Sequence, residues 1–168
     1  DAASSPSKQS SGSAQSSPLP ARCGREKQRY DESGVRLTAG CVVRRGEEVL
    51  MISSSKDSEK FIIPKGGWET DETVEEAAMR ETLEESGVRV ILGPMIGWFD
   101  CQTHQVSKDG KLKQKGTKLC AFRAECEEEM DMWAEGERKR VWMTKGDAVA
   151  RCRHAYMVAI IEKAFEGA

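Results

Sequence analysis

Lys65-Gly66-Gly67-Trp68-Glu69-Thr70-Asp71-Glu72-Thr73-Val74-Glu75-Glu76-Ala77-Ala78-Met79-Arg80-Glu81-Thr82-Leu83-Glu84-Glu85-Ser86-Gly87-Val88 is the stretch on which the reading of this chain turns. Its spacing predicts a helix over Thr73–Ser86. Thr73 caps the helix, Glu76 three residues on completes a capping box, and Val74, Ala77, Ala78 and Leu83 supply apolar contacts. Gly87 suits the left-handed residue that ends such a helix. On the helix, positions 81, 84 and 85 are related by i, i+3 and i+4, so three carboxylates share one face. Like charges at that spacing repel unless something neutralises them. Arg80 alone cannot. A divalent cation can, and hard oxygen ligands point to Mg²⁺ or Mn²⁺. A solvated acidic face is the alternative for any isolated run of glutamates. These glutamates have company: the Gly66-Gly67 loop, where bare backbone can approach a metal or phosphate, with Glu72 ahead of the helix and Gly87 behind it.

Upstream, Val35–Val43 and Val49–Ser53 are β-rich runs around Arg44-Arg45-Gly46-Glu47, a predicted hairpin. Phe61–Ile63 is a short strand stopped by Pro64, and Lys65-Gly66-Gly67 is expected as a loop. Downstream, strands are expected at Val88–Leu92, Met95–Cys101, Leu119–Cys126 and Val141–Met143, with Ser107–Gly116 a polar, lysine-rich loop. A short helix over Lys145–Arg151 follows. Then Tyr156, Ile160, Ile161, Ala164 and Phe165 form one stripe of a closing amphipathic helix over Tyr156–Phe165. The sum is an α/β domain with a central mixed sheet and flanking helices.

At 168 residues there is room for one such domain and a tail. Asp1–Pro20 is rich in Ser and Pro and nearly lacks large apolar residues, so it cannot offset its ordering entropy. Residues 1–24 are expected as a disordered tail ahead of a domain over 25–168. A content of 38% hydrophobic and 32% charged residues fits a soluble globular protein, and no apolar run is long enough to span a membrane. The net charge of −2 hides a segregation. Acids crowd into Glu69–Glu85 and Glu125–Asp131, bases into Lys108–Lys118, Arg138–Arg140 and Arg151–Arg153. That suits a site holding both a metal and an anion, although separate solvated faces would look the same. The six cysteines show no zinc-type spacing; Cys41 and Cys120 read as buried thiols, and disulfide pairing stays open. The start at Asp1 fits a removed secretory leader as well as an arbitrary first residue. A cytoplasmic site of action and a secreted mature effector are therefore both open.

Gly66-x5-Glu72-x7-Arg80-Glu81-Thr82-x-Glu84-Glu85-x-Gly87-Val88 resembles the Nudix box. It departs where Thr82 stands in place of a larger apolar residue that packs under the helix. The resemblance implies a Nudix fold, an α/β/α sandwich, and hydrolysis of a nucleoside diphosphate linked to another group. It further implies Glu81 and Glu85 as metal ligands, Glu84 as base or further ligand, Arg80 as the residue that orients the glutamates, and a backbone carbonyl near Gly66 as an additional ligand. Glu72 would support the loop. One of Glu125, Glu127, Glu128 and Glu129 would supply a carboxylate from outside the box.

Val49–Lys56, the Phe61–Trp68 segment FIIPKGGW and Arg138–Trp142 look like the diphosphoinositol polyphosphate phosphohydrolase subfamily, in a plant- or fungal-like spelling. That likeness implies inositol pyrophosphates as substrates, with diadenosine polyphosphates also cleaved. Such polyanions call for a pocket of Lys and Arg. The candidates are Arg36, Lys56, Lys65, Lys115, Lys118, Arg138, Arg140 and Arg153, with His154 beside them and His104 in a surface loop. Cleavage of the messenger-RNA cap is the alternative, and it needs rings to stack on the cap base. Trp68, Trp133, Phe99 and Tyr30 are candidates for that, while Trp98 and Trp142 are expected in the core. A third reading is a non-catalytic sensor of inositol phosphates. No membrane partner is expected, and the chain is expected as a monomer.

Overall fold

The computed structural model describes residues 18–167. Most of the expected tail, residues 1–17, lies outside the described residues. Ten elements follow in order: β1 (Arg36–Arg45), β2 (Glu48–Ser53), β3 (Phe61–Ile62), β4 (Lys65–Gly67), α1 (Val74–Ser86), β5 (Val88–Val106), β6 (Leu112–Glu129), β7 (Arg140–Thr144), α2 (Lys145–Arg151) and α3 (Ala155–Ala164). The sheet runs β3-β2-β1-β6-β5, with β4 also paired to β1 and β7 to β2. β1 and β6 are parallel and the other pairs antiparallel, so the sheet is mixed as expected.

Alternation along the strands feeds two cores, one on each face. Val42 of β1 and Leu119 and Ala121 of β6 pack toward α2 and α3, with Met157, Ile160, Ile161 and Ala164. Cys41 and Val43 of β1 and Cys120 and Phe122 of β6 pack toward α1, with Ala77 and Ala78. The result is an α/β/α sandwich. The cysteines are free thiols, and burial pushes those of Cys41 and Cys120 up to about 12. Among the described residues, no helix is long and apolar enough to cross a membrane.

Both ends of α1 match the sequence pattern: Thr73 and Glu76 form the capping box, and Gly87 ends the helix at φ 68°. Several expectations need correction. Lys65–Gly67 is a short strand rather than a loop, because β1 offers it an open edge and pairs Thr38 with Gly67 and Gly40 with Lys65. The runs 88–92 and 95–101 are one strand, β5, interrupted by bulges at Leu92/Met95 and Met95/Gly97. Most of the lysine-rich loop is hairpin: β5 and β6 stay paired out to Val106↔Leu112, around a turn at Ser107 to Gly110. Trp98 is 47% exposed rather than core, because it lies on β5 at the sheet's edge. Trp142 is half-buried, with its ring under Arg45 and its Nε1–H donated to Glu129 at 2.6 Å.

Leu83 is not in the core either. Thr82 is, fully buried beneath α1. Its hydroxyl donates to the Ala78 carbonyl at 2.8 Å, so the polar atom is satisfied within the helix. Ser86 repeats the device toward the Thr82 carbonyl at 2.5 Å.

Candidate active site

Arg80 is the hub of the acidic face, with its side chain 15% exposed. Its Nε and Nη2 donate to both oxygens of Glu72, at 2.9 and 2.7 Å. Nη1 donates to Glu81 at 2.9 Å and to Glu84 at 3.1 Å, and Nη2 also reaches the Gly67 carbonyl at 2.9 Å. Burial opposes the Arg80 charge but is outweighed by Glu72 and by the fields of Glu81 and Glu84, so its pKa is raised. Glu72, also buried, accepts from the Glu69 N–H at 3.1 Å. Burial is the largest single influence and raises its pKa, but the Arg80 bonds, the Glu69 N–H and the Arg80 and Arg22 charges together hold it below the ordinary value. The loop, Glu72, Arg80 and the carboxylate row are thus one hydrogen-bonded unit.

Gly66 shows why glycine is needed. A Cβ there would stand 2.2 Å from the carboxyl carbon of Glu81. Burial pushes Glu81 up to about 7, opposed by Arg80 and reinforced by Glu84 and Glu135. Glu85 lies deeper. Its Oε2 accepts the Lys65 N–H at 2.9 Å and Arg138 stands 3.7 Å away, yet burial pushes it up to about 8. Glu84 accepts from Arg80 and, at 3.2 Å, from the backbone N–H of Arg22, whose guanidinium pairs with Glu69 and Asp71 at 2.5 and 2.8 Å.

Among the described residues no three acid, His or Cys side chains close round one point. Arg80 instead bridges Glu72, Glu81 and Glu84. The donor set still fits a hard divalent cation: Glu81, Glu84, Glu85 and the Gly66 backbone offer oxygens alone. Burial makes two of those carboxylates resist ionisation despite the nearby Arg80, Lys65 and Arg138, and a bound cation would favour their charged forms.

Beside this row lies a cavity of about 430 Å³ lined by Arg36, Lys56, Lys65, Arg138, Arg153 and His154, with Gly66 and Ser54 also in its wall and no acid among its lining residues. Two of these cations are held by the chain after β2: Arg138 donates to the Ser53 carbonyl at 3.1 Å, and Arg153 to the Ser54 side-chain hydroxyl at 2.6 Å. Gly66, Lys65 and Arg138 join cavity and carboxylates, since all three line the one and touch the other.

Five of the eight basic candidates therefore meet at one cavity. Arg140 does not: its guanidinium takes the Ser86 and Met130 carbonyls at 3.1 and 2.9 Å, tying the end of α1 to the chain after β6. Lys118 pairs with Asp31 at 2.8 Å. Lys115 pairs with Thr103 in the β5–β6 hairpin, and its side chain, like that of His104, lies outside the described residues. The acids proposed from outside the box are displaced too. Glu125, Glu127, Glu128 and Glu129 are exposed on β6, and Glu129 is engaged by Arg45 and Trp142. The acid that does arrive is Glu135. Its N–H donates to the Glu84 carbonyl at 2.9 Å, and its carboxylate pairs with Arg138 at 3.1 Å. It sits in irregular chain, where no periodicity could have marked it.

None of the rings put forward for cap stacking lines the cavity. Trp68 lies between Arg29 and Trp98, with its Nε1–H on the Glu72 carbonyl. Trp133 is held between Gly87 and Arg140. Phe99 packs on the core beneath α3, and Tyr30 is exposed.

A family model described as the NUDIX domain matches residues 34–163. The chain is 40% identical over 163 residues to Nudix hydrolase 16, mitochondrial, of Arabidopsis thaliana, covering 88% of each. It is 31% identical over 142 residues to diphosphoinositol polyphosphate phosphohydrolase 3-alpha of Mus musculus, covering 80% of each. The solved structure of the E. coli dihydroneopterin triphosphate pyrophosphohydrolase superposes with a TM-score of 0.61 at 19% identity, over 76% of this chain and 92% of that one, and shares the fold.

Proposed function

This chain belongs to the Nudix family of hydrolases acting on pyrophosphate bonds, and from that premise we propose that it removes a phosphate from the diphosphate group of inositol pyrophosphates, with diadenosine polyphosphates as further substrates. The cavity carries this reading: five cations and no acid face a ligand at a wall shared with the carboxylate row. Such a lining suits a ligand that is charged all round and has no base to stack. The mouse relative named as a diphosphoinositol polyphosphate phosphohydrolase supports the same class. Capped RNA is disfavoured because none of Trp68, Trp133, Phe99 and Tyr30 lines the cavity and the two rings that do, His154 and Tyr156, are stacked on each other; a sensor is disfavoured because the carboxylates are all present.

In this reading Lys56, Arg36 and Arg153 bind the outer phosphates, while Lys65 and Arg138 hold the diphosphate against the row. Glu81, Glu85 and the Gly66 carbonyl would hold Mg²⁺, for which Mn²⁺ could substitute, as Nudix hydrolases generally use these ions. Held there, such an ion would supply charge withdrawal from the diphosphate, a more acidic water and stabilisation of the leaving group. Glu84 receives the proton of the attacking water, and Arg80 fixes its position. Water adds to the terminal phosphorus, the anhydride P–O bond breaks, and inorganic phosphate leaves. The enzyme acts as a monomer inside the cell. Secretion as an effector finds no support among the Arabidopsis relatives, several of whose names place them in chloroplasts or mitochondria.

The test compares an inositol pyrophosphate, a diadenosine polyphosphate and capped RNA, each with Mg²⁺, using Glu84→Gln as control. Fastest cleavage of the inositol pyrophosphate, abolished by the substitution, is the expected result. Preferential release of a methylated cap nucleotide would overturn the assignment.

A further inference from the structure

His154 has no place in the reaction above, yet it stands in the wall of the basic cavity. It occupies the N-cap position of α3 but makes no capping hydrogen bond, so its side chain is not committed to the helix. One face is stacked on Tyr156, with ring centroids 5.1 Å apart at 10°. The side-chain hydrogen bond that reaches this residue, from the Cys152 thiol at 3.7 Å, goes to its backbone carbonyl, so among the described residues the ring nitrogens are left unengaged. A half-buried imidazole with two unengaged nitrogens, fixed by stacking in a cavity built for anions, is poised to meet one.

The groups facing it come from several elements. Arg153 precedes it, Lys56 reaches in from the chain after β2, Lys65 from β4, and Arg36 and Arg138 share the same wall. Tyr156 is its neighbour on α3, and burial raises that phenol's pKa, so it stays neutral. No acid lines the cavity to offset these charges. Burial first, and then Arg153, Lys65 and Lys56, hold the imidazole below its ordinary pKa. A polyphosphate reverses that field.

We propose that His154 is a proton-coupled phosphate ligand: neutral in the empty cavity, it takes a proton from solvent as the polyanion enters and donates a charged hydrogen bond to it. The enzyme then favours the most highly phosphorylated ligands and holds them more tightly as pH falls. The inference rests on the reading of the cavity as the polyphosphate site and adds a specificity residue to it.

The probe is inositol hexakisphosphate in EDTA, which binds without turnover. The chain has only two histidines, so their proton resonances are resolved by comparison with His154→Gln. The His154 resonance should titrate below pH 6.5 in the free protein and about one pH unit or more higher in the complex. Calorimetry in buffers of different ionisation enthalpy should show proton uptake that His154→Gln lacks. The probe's phosphates titrate as well, so the difference between the two proteins is the quantity read. Affinity should rise from pH 8 to pH 6 by about tenfold more in the parent than in the variant. A His154 titration unmoved by the probe, in a protein that binds it and loses binding in Lys56→Ala, would overturn the inference and leave the functional reading standing. Failure to bind, or binding indifferent to Lys56→Ala, would overturn both.

Discussion

Replacing Arg80 by Ala should destabilise the metal-free protein more than any other single change on α1. Arg80 is nearly buried and makes ion pairs to Glu72, Glu81 and Glu84, with a further bond to the Gly67 carbonyl. Its removal leaves three largely buried carboxylates without their counter-charge. Breaking a buried pair from one side costs about 3–5 kcal/mol. For a domain of this size that lowers the melting temperature by about 6–20 °C. Arg80→Lys should recover no more than half, because one ammonium cannot serve both oxygens of Glu72 and the other two acids at once. Thermal and urea unfolding in EDTA measure the loss. A second measurement tests its cause: Mg²⁺ no longer competes with the guanidinium, so it should bind Arg80→Ala about tenfold more tightly and restore about 1–2 kcal/mol. A midpoint within about 2 °C of the parent in EDTA would refute the view of Arg80 as the charge hub. Equal stabilisation of both proteins by Mg²⁺ would refute the competition.

Gly66→Ala puts a methyl against Glu81, so kcat should fall about a hundredfold or more with KM changed little, as steady-state kinetics would show. In EDTA, stability should decline from pH 5.5 to pH 8. Glu81 and Glu85 bind protons more tightly folded than unfolded, so the stability present below their unfolded pKa is lost as pH rises through about 7 and 8. Above pH 5.5 the two groups together span about four pH units, an upper bound of about 5 kcal/mol, and even half of that will show in denaturant melts across that range; a flat profile would contradict it. Glu72 has the opposite sign, its folded pKa being lowered, and loses its contribution only below about pH 4.5, outside the window. Lys56→Ala and Arg153→Ala should each raise KM for an inositol pyrophosphate about tenfold and leave kcat nearly unchanged. Glu135→Gln should weaken the hold on Arg138 and lower kcat/KM, whereas Glu128→Gln, exposed on β6, should change neither, in the same assay.

The helix and its chemistry were legible in the chain because they depend on near neighbours. The capping box spans Thr73 to Glu76, the carboxylate row repeats at helical spacing, and Gly87 stops the helix with its own backbone freedom. α2 and most strands were readable for the same reason. Partners far apart in sequence were not. Lys65–Gly67 looked like a loop, since glycines and a preceding proline carry no strand signal; only the open edge of β1 makes them a strand. Trp98 looked like core until the sheet order put β5 at an edge. Sequence could list eight basic residues, but it took the fold to bring Arg36, Lys56, Lys65, Arg138 and Arg153 to one cavity and to turn Arg140 and Lys118 to other duties. Glu135 is the clearest case: a backbone bond to Glu84 and an ion pair with Arg138 deliver it, and neither leaves a periodic trace. Local geometry determines what a helix face can hold. What surrounds that face is set by which distant segments the sheet brings together.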